Sequence, residues 1–190
     1  SFLSPTSNHR NDSYGGDRAG RMRFSLETAE KVRAVWPDHK PLFVRISSVD
    51  TDGVTEGWQL EDSVALAGEL KARGVDVIDC SSSGISGTAT AAQGKLPLGF
   101  RTAYSSRIGA EAEINTMVVG LVLHAEQAEK IIGDGLADLV AIGREALFNP
   151  YWPRHAARTL GADPEFADWP DQYGWWLTRR EPLIREYRDN

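Results

Sequence analysis

Arg45 is the one charged residue in the apolar run Leu42-Phe43-Val44-Arg45-Ile46. A guanidinium buried there without a partner would be costly, so it should meet either an internal acid such as Asp79 or a bound anion or acceptor. Gly143 and Arg144 follow another apolar run, Leu139-Val140-Ala141-Ile142, and lead into a helix. Backbone N–H groups at such a junction favour phosphate, glycine permits close approach, and arginine adds a charge-assisted fork. Gly120 holds the equivalent place after Thr116-Met117-Val118-Val119 and would form the neighbouring wall of the same phosphate site. Either glycine alone reads equally well as an ordinary turn residue, with Arg144 simply exposed.

Other chemically capable groups are less promising. Asp76 and Asp79 are three residues apart on an expected strand, which sends their side chains to opposite faces and argues against an acid–base couple. His9, His39, His124 and His155 are scattered without metal-ligand spacing, and Cys80 has no second cysteine, so no metal site is expected. Ser81-Ser82-Ser83-Gly84 follows the second strand at the expected active-site rim and reads as a polar turn, the alternative being a lining of the ligand pocket.

The elements that carry these residues repeat a strand and a helix four times. After a loop over residues 1–17, Asp17 is a plausible helix cap, and Met22, Leu26, Ala29, Val32 and Trp36 form one apolar stripe up to Pro37. Strand 42–46 is followed by a helix from Leu60 to Leu70 closed by Gly74, then by strand 75–79. A long glycine-bearing loop leads to a short helix at 102–107, strand 116–119, a helix at 125–132 and strand 139–142. Near-continuous apolar strands separated by amphipathic helices predict an α/β fold with a parallel sheet. No GxGxxG follows the first strand. The glycines stand instead after strands three and four, where a (β/α)8 TIM barrel keeps its phosphate site, so four units read as half of such a barrel. Half a barrel leaves two strand edges and an inner face uncovered and should need a partner half.

Composition narrows the partners. With 190 residues, 41% hydrophobic and 25% charged, the chain is expected to form one globular unit over residues 1–190. The net charge of -6, without a basic run, argues against nucleic acid or an anionic membrane surface. No apolar stretch approaches the roughly eighteen residues of a membrane helix, and Ser1-Phe2-Leu3-Ser4-Pro5 lacks the form of a secretory signal, so a cytoplasmic location is expected. With serine rather than methionine first, the chain is expected to begin mid-protein, a processed terminus being the plainer alternative.

Three separated blocks, FLSPTSNHRNDSYGGDRAGRMRF, FVRIS and ADLVAIGREALFNPYWP, resemble in type and order the Old Yellow Enzyme family of flavin-dependent barrel reductases. The likeness is closer to its thermophilic-like and xenobiotic-reductase branch. The resemblance implies that the four strands are five to eight of the parent barrel and that FMN is the cofactor. It further implies NADH or NADPH as hydride donor and an activated alkene as substrate. Arg45 would contact the flavin at its N1 and C2-carbonyl edge, with Gly120, Gly143 and Arg144 at the phosphate. The family's substrate-holding His-His or His-Asn pair and its proton-donating tyrosine belong to a segment upstream of FLSP. No catalytic residue is therefore assigned in this chain, and Tyr14 is read as part of a structural loop.

Residues 161–190 form an aromatic-rich tail, with Trp169, Tyr173, Trp175 and Trp176, suited to docking in a homo-oligomer or against the barrel's N-terminal half. Several members of the branch lend a neighbouring subunit an arginine from between the equivalent tyrosine and a Gly-Trp pair. Here Gly174 follows Tyr173 directly. Two other readings remain at this level: a non-catalytic phosphate- or flavin-binding assembly module, and a barrel enzyme that acts on a different phosphorylated substrate.

Overall fold

The computed structural model describes residues 2–50, 56–82 and 94–188. The Asp17 carboxylate accepts from the Gly20 N–H at 2.8 Å and starts helix α1, Arg18–Val35. Its apolar stripe buries Met22, Leu26 and Ala29, but Val32 and Trp36 are largely exposed. Pro37 pushes the residue before it out of the helical region, and Trp36 is extended. The opening loop is tied to the molecule by Ser4, whose hydroxyl donates to the buried Asp50, and by Asn8, which donates to the carbonyls of Phe2 and Tyr14.

Four strands follow, β1 (Phe43–Ser47), β2 (Val77–Ser81), β3 (Asn115–Val119) and β4 (Leu139–Ala141). Between them run α2 (Leu60–Lys71), α3 (Thr102–Ala112) and α4 (Ala125–Gly133). After β4 the described residues form α5 (Arg144–Phe148), α6 (Trp152–Thr159) and α7 (Asp171–Arg188). Strand β2 starts two residues later than its apolar run. The Asp76 carboxylate accepts from the Leu42 N–H at 2.7 Å and makes the preceding residues an entry turn. Gly74 sits at φ +79°, where a β-carbon would meet Arg33 at 2.8 Å, so it closes α2 as expected. Helix α3 runs past its expected end because Ile108 continues the buried face and Arg107 pairs with Glu111 at 2.7 Å.

The strands lie in the order β1-β2-β3-β4 and every neighbouring pair is parallel. An order without reversal lacks the switch point of a doubly wound sheet and matches consecutive strands of a barrel. Side chains alternate accordingly. Ile46, Ile78 and Cys80 pack with Leu66, Leu70 and Ile108 from the helices, while Val118 packs with Val122 and Ile131. Leu66, Leu70 and Ile108 are fully buried, each worth about 1.5–3 kcal/mol. On the opposite face Phe43 and Leu139 remain about 40% exposed. The chain is thus a partial barrel, helices on the outside and the would-be interior open.

Candidate functional site

The register of β1 and β2 sets Arg45 opposite Asp79, and both side chains leave the sheet on the open face. Arg45 Nη1 lies 3.7 Å from Asp79 Oδ2, and Nη2 donates to Ser81 Oγ at 3.1 Å. The expectation that Arg45 is buried is corrected: its side chain is 63% exposed. An apolar strand composition reports that strand's packing on the helices but not whether its other face is covered. Both partnerships weighed for Arg45 are therefore open to it at once. It pairs with Asp79 on one flank and presents the rest of the guanidinium outward.

Burial pushes the Asp79 carboxyl above the usual carboxylate range, with Arg45 and, less strongly, Arg101 pulling the other way. Its Oδ1 is buried and accepts no hydrogen bond among the described residues. Asp76, by contrast, lies outside β2 and serves the Leu42 N–H, so the two aspartates stand apart in role.

The ends of β3 and β4 converge on a second feature, a cavity of about 110 Å³ lined by Phe100, Arg101, Gly120, Leu121, Gly143 and Arg144, among others. It is smaller than the roughly 300 Å³ at which whole-ligand pockets begin, so its scale is that of one anionic group. Gly120 adopts φ +133°, and a β-carbon there would stand 2.8 Å from Phe100 Cε1; no other residue fits without a shift. Gly143 caps α5, and among the described residues no atom beyond its own and its two chain neighbours lies within 4 Å of the place its β-carbon would take. The space beside its backbone is open to a ligand. Helix α5 has only five residues, so its contribution is the free N–H groups of one turn rather than a long dipole. Arg144 is exposed and makes no hydrogen bond or ion pair among the described residues.

The loop after β3 is held by contacts that no local pattern foretells. Leu121 has φ +50°, an uncommon conformation for a leucine. Gln127 clamps it from α4: Nε2 donates to the Leu121 carbonyl at 3.0 Å, and Oε1 accepts from the Leu123 N–H at 3.0 Å. Trp152 Nε1 donates to the Leu123 carbonyl at 2.8 Å. The cavity wall is thereby fixed from two helices, α4 and α6.

Arg101 was not among the expected site residues. It is 7% exposed, donates to Ser82 through Nε at 2.8 Å and Nη2 at 3.0 Å, and lies 4.4 Å over the Phe100 ring. The available signal was a lone arginine in a stretch, 97–105, that holds no acid. Ser81 and Ser82, expected as a polar turn, instead serve Arg45 and Arg101 respectively; Ser83 and Gly84 lie outside the described residues. Tyr14 donates its hydroxyl to Glu27 at 2.9 Å, which raises its pKa and agrees with a structural role. In the tail, Trp169 is buried beside Tyr151 and His155, whereas Trp175 and Trp176 are exposed. A side chain at position 174 would strike the Phe166 carbonyl at 2.7 Å, so the backbone there requires glycine.

Comparison with known proteins accords with this geometry. The sequence model of the NADH:flavin oxidoreductase / NADH oxidase family matches residues 1–163. An NADPH dehydrogenase of Geobacillus sp. (strain WCH70) is 45% identical over 160 residues, 84% of this chain and 45% of that one. An NADPH dehydrogenase of Bacillus cytotoxicus is 44% identical over 172 residues, 90% of this chain and 46% of that one. The chain thus spans about half the length of these relatives. Among solved structures, the old yellow enzyme homologue from Zymomonas mobilis superposes with TM-score 0.61 at 21% identity, over 85% of this chain and 42% of that one. A 2-naphthoyl-CoA reductase superposes with TM-score 0.71 at 23% identity, over 87% of this chain and 24% of that one. These two likenesses speak to the fold, while the sequence match carries the relationship. The chain belongs to the NADH:flavin oxidoreductase / NADH oxidase family, whose cofactors are FMN and a reduced nicotinamide.

Proposed function

We propose that this chain is the FMN-binding half, strands five to eight, of an NAD(P)H-dependent ene-reductase that reduces activated carbon–carbon double bonds. The observation that carries the reading is the convergence of Gly120, Gly143 and Arg144 on one cavity at the C-terminal ends of β3 and β4. The fit to a flavin phosphate rests on two features. The space beside Gly143 is open where a β-carbon would stand, and the Arg144 guanidinium meets no acid among the described residues. When bound, FMN supplies the two-electron hydride chemistry. The chain's own residues bind and orient. Arg144 and the N–H groups of the first turn of α5 hold the phosphate, and Gly120 lets the opposite wall approach. Arg45, tethered to Asp79 and Ser81, offers positive charge on the open face where the ring system would lie.

The open face, with Phe43 and Leu139 exposed, supports an N-terminal half-barrel as the partner that closes the interior. The exposed Trp175 and Trp176 of α7 support a homo-oligomeric contact for the tail. The residues that hold and protonate the alkene would come from the N-terminal half. The test is anaerobic: NADPH should bleach the flavin absorbance of the complete barrel, and an α,β-unsaturated ketone should restore it. Bleaching without recovery would leave a flavin reductase of another substrate class, and a protein without flavin would overturn the reading.

A further inference from the structure

Asp79 is a buried acid that would not itself touch the flavin and enters the reading above only as a tether of Arg45. It is 8% exposed, yet it faces the same open side of the sheet as Arg45, whose side chain is 63% exposed. One carboxylate oxygen lies 3.7 Å from Arg45 Nη1, and the other is buried without a hydrogen bond among the described residues. An apolar residue at this strand position would pack with no such desolvation cost. A carboxylate kept there, half satisfied and with its pKa raised by burial, marks a role other than stability.

Its contact geometry says what that role is. Asp79 and Ser81 stand two residues apart on β2, share a face, and both grip Arg45 from the same flank. An arginine side chain has much rotamer freedom to lose on being ordered. Two anchors on one side leave the remaining N–H groups aimed away from β2 across the open face.

We propose that Asp79 is a positioning residue for the flavin, acting through Arg45: it fixes the guanidinium and offsets part of its charge, and thereby sets the cofactor's reduction potential. This rests on the reading of Arg45 as a flavin contact. Asp79→Asn keeps the shape and removes the charge, leaving Arg45 more positive in effect beside a ring that gains negative charge on reduction.

The experiment is a spectroelectrochemical titration of the FMN-loaded full-length protein, native, Asp79→Asn and Asp79→Glu. In Asp79→Asn the preference for reduced over oxidised FMN should rise about tenfold, an upward shift of about 30 mV for a two-electron couple. Asp79→Glu, which retains the charge, should shift much less. An unchanged or lowered potential in Asp79→Asn, an equal shift in Asp79→Glu, or loss of FMN from both variants would overturn the proposal. A native protein that binds no FMN would overturn the flavin reading itself and this proposal with it, so the two failures are told apart.

Discussion

Phe100 occupies the space that a side chain on residue 120 would need: its Cε1 lies 2.8 Å from the β-carbon position of Gly120. The same ring carries the Arg101 guanidinium at 4.4 Å. Gly120→Ala should therefore move Phe100 and Arg101 together and reshape the cavity. The left-handed backbone and the clash together should cost about 1–3 kcal/mol of stability. Chemical denaturation measures the loss, and FMN retention should fall with it.

Gln127 should matter as much as any residue that faces the cavity, although it holds only backbone. Gln127→Ala removes two hydrogen bonds to the Leu121–Leu123 loop and should cost about 1–3 kcal/mol. Gln127→Glu keeps an acceptor for the Leu123 N–H but loses the donor to Leu121, so its midpoint should fall between native and alanine. Equal midpoints for all three proteins would show that the clamp contributes nothing.

Three of the strands are legible as near-continuous apolar runs and the second, with Asp76 and Asp79 among its valines and isoleucine, from its place between two helices; the four βα units follow from that. That Gly120, Gly143 and Arg144 line one cavity is legible because loops after consecutive barrel strands are neighbours. Arg45 was placed on the right strand but expected in the wrong environment, since strand periodicity separates two faces without saying which is covered. The start of β2 was misread because the Asp76 side chain competes for a backbone N–H, a contact across 34 positions of chain. Arg101 depends on a contact with Ser82, 19 positions away, and the Gln127 clamp, though local, depends on the uncommon backbone conformation of Leu121; neither leaves a periodic trace.

Cys80 supplies a prediction for alkaline pH. It is fully buried, and burial first, then Asp79, push its thiol up to about 12 from an ordinary value of 9.0. The folded pKa lies above the unfolded one, so the associated stability is complete below pH 9 and is lost as pH rises toward 12. The limiting slope is about 1.4 kcal/mol per pH unit. Urea midpoints of native protein and Cys80→Ala across this range should converge as pH rises, because tyrosine and lysine titrations are common to both. Below pH 9 a thiol reagent should label Cys80 only in denaturant.

Whether Gly120, Gly143 and Arg144 hold the phosphate of FMN is tested by comparing FMN with riboflavin, which lacks that phosphate. In the full-length apoprotein, fluorescence titration should show Arg144→Ala weakening FMN by about tenfold to a hundredfold, the loss of charge-assisted hydrogen bonds, with riboflavin affinity nearly unchanged. If Arg144→Ala weakens both ligands equally, or neither, the cavity between β3 and β4 is not the phosphate site.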